Sequence, residues 1–217
     1  MMHSEMGSTA LWLMLLLGAY HGINPGMGWL FAVAKGMQEQ KGSAVVKSLA
    51  PIALGHALAI GSVVMIAAFL GTALPLMTIR YAVATLLLGL GVFSLVRHWH
   101  PRWVRMRVGF RDLTAWSFLM ASAHGAGLMV LPLLLGSSTV EAHGHMSDHS
   151  HMSSVANPLT GMLATGIHTF GYLAVTGLIA WTCYRKLGLA LIRKTWLNFD
   201  VLWGAALVAT GLLTLVT

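Results

Sequence analysis

The sequence contains very few charged residues. Only 9% of its 217 residues are Asp, Glu, Lys or Arg, whereas 57% are hydrophobic. A soluble domain carries roughly 25% charged residues, most of them on its water-exposed surface. The shortage of charge therefore excludes an ordinary soluble domain and predicts an integral membrane protein whose main partner is the lipid bilayer.

Cysteine is almost absent as well. The single cysteine, Cys183, has no second thiol in the chain, so an internal disulfide and a two-thiol redox relay are excluded. No intramembrane carboxylate pair and no nucleophile–base–acid set is visible, and we therefore expect no enzyme activity. The net charge is +7, but the cations lie in loops between apolar runs, which argues against nucleic acid as a partner.

Long apolar runs, in contrast, fill most of the sequence. Four of them contain no charged residue and span residues 10–34, 48–79, 113–139 and 155–184. Each exceeds the roughly 20 residues that a helix needs to cross the hydrocarbon core of a bilayer. Residues 81–96 and 201–217 form shorter runs, which can span if flanking polar side chains snorkel to the interface. The sequence thus predicts an all-α membrane protein with six transmembrane helices.

The cations predict the orientation of these helices. When the six runs are numbered along the chain, all of the 13 Lys and Arg residues except Arg80 follow the first, third and fifth runs. They lie within residues 35–47, 97–111 and 185–194. Because Lys and Arg mark the cytoplasmic side of a membrane, both termini are predicted to lie outside the cytoplasm, in a plasma or inner membrane. Residues 97–112 then form a basic cytoplasmic linker.

An internal repeat divides the chain into two halves, residues 1–96 and 113–217. The first run contains AYHGINPGMGW and the fourth contains SAHGAGLMVLP, so each has His-Gly followed by a proline. The second run contains LGHALAIG and the fifth GIHTFGYLAVTG, and a short Gly-containing run ends each half. Since each half has three helices, the second must be inverted relative to the first, which is typical of transporters with a midplane site.

Four histidines lie well inside the apolar runs, in places related by the repeat: His21, His56, His124 and His168. Ionisable groups near the bilayer centre are costly and usually face a cavity or a partner. Neutral imidazole is also a common ligand of zinc, copper, nickel and cobalt. We predict that the four histidines line a substrate or metal-ion pathway; the alternative is a structural role in interhelical hydrogen bonding.

Asn24 and Pro25 follow the first of these histidines. Pro25 removes one helical hydrogen bond, and its ring crowds the carbonyl group of His21. The freed carbonyl beside Asn24 would contribute to the ion or substrate pathway. A simple kink, which is common in membrane helices, explains the same residues.

A histidine-rich segment, EAHGHMSDHSHM, lies between the fourth and fifth runs at residues 141–152. Its candidate metal ligands are His143, His145, Asp148, His149 and His151, with Met146 and Met152 as added thioethers. Short His-rich tracts bind metal, and thioethers suit reduced copper. The charge pattern predicts that this loop is external, where it would gather metal; a plain solvated loop is the alternative.

The paired His-Gly helices with a nearby proline, in a three-plus-three inverted arrangement, resemble the LysE-like transporter superfamily. HGINPGMG at residues 21–28 resembles the His-x-x-x-Pro-Gly helix of that superfamily, and the histidine-rich loop resembles that of NicO-type nickel/cobalt transporters in composition. The His-x4-Asp-His signature of those transporters is absent. The resemblance implies a membrane transporter whose substrate is a metal ion.

Taken together, the residues predict a transporter of nickel, cobalt, zinc or copper through a His-lined midplane site, with no resident cofactor required. Two other functions remain open at this stage. A transporter of a small organic or anionic solute would use the histidines as proton carriers or hydrogen-bond donors, and a membrane redox protein would use two histidine pairs as haem ligands. Formation of a homo-oligomer is compatible with each of these functions.

Overall fold

The computed structural model describes residues 8–71, 73–96, 109–141, 158–187 and 199–216. Every regular element in these ranges is helical. The helices are α1 (Ser8–Ile23), α2 (Trp29–Glu39), α3 (Gly42–Gly71), α4 (Leu76–Val96), α5 (Phe110–Ala123), α6 (Ala126–Glu141), α7 (Pro158–Thr182) and α8 (Phe199–Val216). The histidine-rich loop from residue 142 onward and the basic linker up to residue 108 lie outside the described residues.

Several of these helices are long and apolar enough to cross a membrane. Gly42–Gly71, Met77–Val96 and Gly161–Lys186 qualify individually, and Phe110–Ala123 with Ala126–Leu134 qualify as a pair bent by 57°. The described part of the chain therefore has three candidate spans, or four with the bent pair counted as one. Thr9–Ile23 and Trp203–Val216 are apolar but shorter. Large apolar side chains such as Phe69 and Phe170 are exposed on the helix surfaces, as lipid-facing residues are.

Two of the predicted spans are broken at a His-Gly pair. α1 ends at Ile23, and a 3-10 turn at Pro25–Met27 joins it to α2. Pro25 suits the first position of this turn because its missing N–H needs no partner there, and the Asn24 side chain accepts a hydrogen bond from the Gly26 N–H at 2.9 Å. Gly28 has a φ of 133°, which glycine tolerates and other residues rarely adopt. We call Asn24–Gly28 the first break.

The second break is shorter and lies between α5 and α6. α5 ends at Ala123, His124 follows it, and Gly125 has a positive φ of 67° before α6 begins. The glycine again permits a left-handed conformation that turns the chain. The first predicted His-Gly motif thus lies in the last turn of α1, just before the first break, and the second lies at the second break itself.

Three helix pairs form the main packing of the described residues: α1 against α7, α3 against α5, and α4 against α8; α3 also packs on α7. Glycines let the backbones approach closely in each pair. A Cβ atom added to Gly18 would lie 2.0 Å from the His168 carbonyl oxygen, and one added to Gly55 would lie 2.2 Å from that of Thr114. Close packing at small residues is the usual source of attraction between membrane helices.

Arg80, the one cation outside the predicted cytoplasmic loops, has a structural partner. Its Nε donates a hydrogen bond of 2.7 Å to the carbonyl oxygen of Thr214, in the last turn of α8. The last carbonyl groups of a helix lack intrahelical donors, and a cation near them is favourable. This hydrogen bond gives Arg80 a structural role at the end of α8.

Candidate functional site

Three of the four predicted histidines meet in one cluster, which we call the imidazole cluster: His21 on α1, His56 on α3 and His168 on α7. The ring centroids lie 4.9 Å apart for His21 and His168, 5.5 Å for His56 and His168, and 5.8 Å for His21 and His56. All three side chains have 0% exposure. The cluster therefore joins both halves of the sequence at a single buried point.

Most nitrogen atoms of the imidazole cluster lack a hydrogen bond of standard geometry. The Nε2 atom of His21 and both ring nitrogens of His56 and His168 are buried without one. The backbone of Met14 makes only a weak polar contact with the His168 ring. Buried polar groups are nearly always hydrogen-bonded, because an unsatisfied group costs about 1–3 kcal/mol. Five such atoms in one place indicate a site built for something other than packing.

His21 has one hydrogen bond, and this bond determines its tautomer. Its Nδ1 lies 2.7 Å from the carbonyl oxygen of Leu17, one turn earlier in α1. A carbonyl oxygen only accepts, so Nδ1 carries the proton and, in the neutral ring, Nε2 presents its lone pair. A backbone carbonyl that orients an imidazole in this way is a common second partner of metal-binding histidines.

Two aromatic side chains enclose the imidazole cluster. The Tyr172 ring stacks on His56 with centroids 3.8 Å apart, and the Trp203 ring meets the His21 ring edge-on at 4.6 Å. The Tyr20 ring in turn stacks on the Trp203 ring, with centroids 5.2 Å apart. Tyr172 is completely buried and Trp203 almost so. These rings pack against the imidazoles and make their surroundings largely apolar.

His124 lies next to the imidazole cluster but outside the triangle. Its Nδ1 is 2.8 Å from the carbonyl oxygen of Met120, four residues earlier, which repeats the arrangement of His21 and Leu17. Trp203 contacts both histidines, because its ring meets the His21 ring at 4.6 Å and the His124 ring at 5.4 Å, and its indole N–H donates a 2.8 Å hydrogen bond to the His124 carbonyl. Three of the predicted histidines are thus in mutual ring contact, and the fourth contacts the same Trp203 ring as His21.

The carbonyl groups freed at the first break have donors within the protein. The Tyr172 hydroxyl donates to the Met27 carbonyl, and the indole N–H of Trp29 donates to that of Ile23 at 3.0 Å. The Trp116 indole donates to Gly26 at 3.4 Å, and the backbone N–H of Asn24 reaches the His21 carbonyl at 3.3 Å. These bonds stabilise the kink predicted from Asn24 and Pro25; an ion-pathway role for these two residues stays a prediction.

In this arrangement the imidazoles contact one another through ring faces and edges rather than around a common centre. Among the residues that the structure describes, no group of three or more His, Cys, Asp or Glu side chains has the geometry to hold a metal ion. The predicted loop ligands His143, His145, Asp148, His149 and His151 lie outside the described ranges. The structure therefore shows a histidine-lined site without showing a formed metal centre.

Several residues of the site were not singled out in the sequence: Tyr172, Trp203, Ser117, Thr176 and Met14. Ser117 donates a 2.7 Å hydrogen bond to the Ile52 carbonyl, and the Ser117 and Thr176 hydroxyls lie beside that of Tyr172. Tyr172 and Thr176 follow His168 at intervals of four residues, so they share its helix face. That spacing was a usable signal, whereas nothing in the sequence marked Trp203.

Comparisons with known proteins add no identity to this picture. The chain matches no protein-family model, no curated protein and no solved structure. The functional argument therefore rests on the residues and their arrangement.

Proposed function

We propose that the protein transports a transition-metal ion across a plasma or inner membrane through the imidazole cluster. The observation that carries this proposal is the set of three fully buried imidazoles with five ring nitrogens lacking hydrogen bonds. Imidazole is among the commonest ligands for zinc, copper and nickel. A membrane protein has little reason to bury unsatisfied imidazoles together unless they serve a ligand or an ion.

The packing supports an inverted repeat of six spans. In the proposed repeat, α1 with α2 corresponds to α5 with α6, α3 corresponds to α7, and α4 corresponds to α8. A contact between α1 and α7 should then be matched by a contact between α5 and α3. The α4–α8 and α3–α7 contacts each join two corresponding helices, so the repeat relates each of them to itself. All four contacts are observed. Both broken helices also carry a histidine bonded through Nδ1 to the carbonyl four residues before it. Inverted repeats with broken helices at the substrate site are typical of secondary transporters.

This proposal places both termini outside the cytoplasm and the histidine-rich loop on the external side, as the cation distribution predicts. The loop would gather metal ions before they enter the membrane site. The arrangement is in keeping with the LysE-like resemblance, which rests on the His-Gly motifs and the inverted halves.

Binding in the imidazole cluster requires the rings to turn. The three imidazoles approach within 5.8 Å of one another, so rotation of their side-chain torsions is enough to aim lone pairs at a shared ion. The two breaks next to His21 and His124 provide flexible points at which helix segments move. We propose that such movement alternates the cluster between the closed arrangement described above and an ion-binding one.

The geometry favours a metal over haem. Axial haem ligands stand on opposite faces of a porphyrin. His21, His56 and His168 are already in mutual ring contact, and Tyr172 fills the space beside His56. A macrocycle has no room between them. A small organic or anionic solute would need a cavity, whereas the imidazoles here pack against one another and against aromatic rings.

The test is metal transport by the purified protein in proteoliposomes, measured with a fluorescent indicator inside the vesicles. We expect uptake of at least one of nickel, cobalt, zinc and copper by the native chain, and its loss in His56→Ala. Leu58→Ala, two residues away on the exposed side of α3, is the matched control and should retain uptake. Metal-independent transport, or equal rates in both variants, would contradict the proposal.

A further inference from the structure

The imidazole cluster is built without negative charge. His21, His56 and His168 lie in runs of the sequence that contain no Asp, Glu, Lys or Arg, at residues 10–34, 48–79 and 155–184. Four carboxylate residues lie in the described ranges. Glu39 and Asp112 are exposed at helix ends, where Glu39 pairs with Lys35 and Asp112 accepts a hydrogen bond from the Gly109 N–H, and Glu141 and Asp200 lie at the end of α6 and the start of α8. The ligands that the structure offers to an ion are therefore neutral.

A neutral, fully buried ligand set discriminates strongly by ion charge. The cost of moving an ion from water into a medium of low dielectric constant grows with the square of its charge, so a divalent ion loses about four times as much hydration as a monovalent one of similar size. Sites for divalent ions usually recover this loss through carboxylate or thiolate ligands. The imidazole cluster has neither within the described residues.

The number of ligands leads to the same conclusion. No group of three or more His, Cys, Asp or Glu side chains in the described ranges has the geometry to hold a metal ion. Zinc takes four ligands in structural sites and at least three protein ligands in catalytic ones. A d10 monovalent ion such as Cu(I) or Ag(I), in contrast, is stable with two nitrogen ligands. His56 and His168 have rings near enough to provide them, with centroids 5.5 Å apart, and both ring nitrogens of each lack a hydrogen bond of standard geometry.

A soft donor lies on the same helix face. Met14 is completely buried, and it precedes His21 by seven residues, which places both side chains on one side of α1. Its backbone makes the polar contact with the His168 ring. Thioether sulfur selects Cu(I) among the first-row metals. The histidine-rich loop repeats the combination in sequence, with Met146 and Met152 among its histidines.

We infer that the substrate is a soft monovalent cation, Cu(I) or its analogue Ag(I), rather than a divalent ion; this inference rests on the proposed transport function. The ion would be bound by the neutral imidazoles of His56 and His168, with His21 and Met14 as accessory ligands. It would cross the membrane as Cu(I), so that no change of oxidation state is involved.

Binding of Ag(I), Zn(II) and Ni(II) to the full chain in detergent tests the inference. All chains compared would carry serine at His143, His145, His149 and His151, so that the loop does not contribute imidazoles. We expect Ag(I) to bind at least 100-fold more tightly than either divalent ion. His56→Ala should weaken Ag(I) binding by more than the roughly 10–100-fold that loss of an outer-shell partner costs. His56→Asn, which keeps a polar side chain, should weaken it similarly if the variant is as thermally stable as the native chain.

Two further variants separate this inference from a structural effect. Met14→Leu should weaken Ag(I) binding by about tenfold, at the low end of the 10–100-fold range of outer-shell changes, and leave Zn(II) binding unchanged. Asp200 lies in the first turn of α8, three residues before Trp203. Asp200→Asn therefore tests the neutrality of the ligand set, because a loss of Ag(I) affinity as large as that of His56→Ala would overturn it. His-dependent binding of Zn(II) or Ni(II) as tight as that of Ag(I) would refute the monovalent inference and leave metal transport standing. If none of the three ions binds, both the monovalent inference and the proposed metal transport are refuted.

Discussion

The two helix breaks begin alike and end differently. Each follows a histidine whose Nδ1 bonds to the carbonyl four residues earlier, at Leu17 in the first half and Met120 in the second. The first break then continues through a five-residue turn whose carbonyls receive donors from several side chains. The second has one left-handed glycine and one such donor, from Trp203. Equivalent places in the proposed repeat thus have different surroundings.

The difference matters because it decides which histidines form the site. His21 meets His56 and His168 ring to ring, whereas His124 and His21 each contact the Trp203 ring. The sequence predicts four equal members related by the repeat. In the structure His168 contacts His21 and His56 directly, and His124 lies beside the second break against Trp203. A shared role of all four in one pathway stays a prediction.

The largest expected effect distinguishes the two histidines of the second half. His168→Ala should abolish metal transport, because it removes one of the three clustered imidazoles. His124→Ala should leave a measurable rate, since Trp203 still closes the cluster on that side. Initial rates in proteoliposomes, normalised to inserted protein, measure the difference. Equal loss in both variants would restore the symmetric site.

Close backbone contacts should be equally sensitive in the two related helix pairs. Gly18→Ala on α1 and Gly55→Ala on α3 each force a Cβ atom into a backbone carbonyl, at 2.0 Å from His168 and 2.2 Å from Thr114. Overpacking of this kind typically costs about 1–3 kcal/mol. Gly166→Ala on α7, with nothing within 4 Å of its added Cβ, is the control and should leave the melting temperature in detergent unchanged. A stable Gly18→Ala variant would mean that α1 and α7 do not pack in this way.

Smaller losses should follow when the donor to each break is removed. Tyr172→Phe keeps the ring that stacks on His56 and deletes the donor to Met27, and Trp203→Phe deletes the donor to His124. Interhelical hydrogen bonds in membrane proteins contribute about 0.6 kcal/mol on average and up to about 1.7 kcal/mol. Because the first break has other donors, Tyr172→Phe should destabilise the fold less than Trp203→Phe in steric-trapping or denaturation measurements. The reverse order would show that the stability of the first break depends chiefly on Tyr172.

The smallest effect concerns Arg80 and the end of α8. Arg80→Met keeps the aliphatic stem and removes the donor to Thr214, so the fold should lose about 0.3–1 kcal/mol, the usual contribution of a charge near a helix terminus. Thermal unfolding at low ionic strength measures this loss, and metal transport should be unaffected. A reversed membrane orientation in this variant, detected with a reporter fused after Thr217, would mean that Arg80 acts as a topological signal instead.

Much of the site followed from the sequence because its main members are rare residues in apolar runs. His21, His56 and His168 stood out as ionisable groups where lipid tolerates few. Tyr172 and Trp203 did not, because aromatic residues are ordinary in membrane helices. Their importance depends on contacts with Met27 and His124 on distant segments of the chain. Such long-range contacts are set by helix packing, which hydropathy and spacing do not specify.

The fold was predictable to a similar degree. The apolar runs indicated an all-helical chain with several spans, and the structure has three or four among its described residues. The six-span inverted arrangement remains a proposal supported by the helix contacts. The interruptions at His124 and Gly125 were less visible, because a single glycine in a membrane helix is compatible with a continuous one.

Metal content of the purified chain tests the central claim most directly. With the four loop histidines replaced by serine, the chain loaded with metal and then freed of excess should retain one ion per molecule by mass spectrometry. The same chain with His168→Ala should retain none, whereas the chain with His124→Ala should retain the ion. Retention in the His168→Ala chain, or absence of metal from the parent, would contradict the assignment of the imidazole cluster as the transport site.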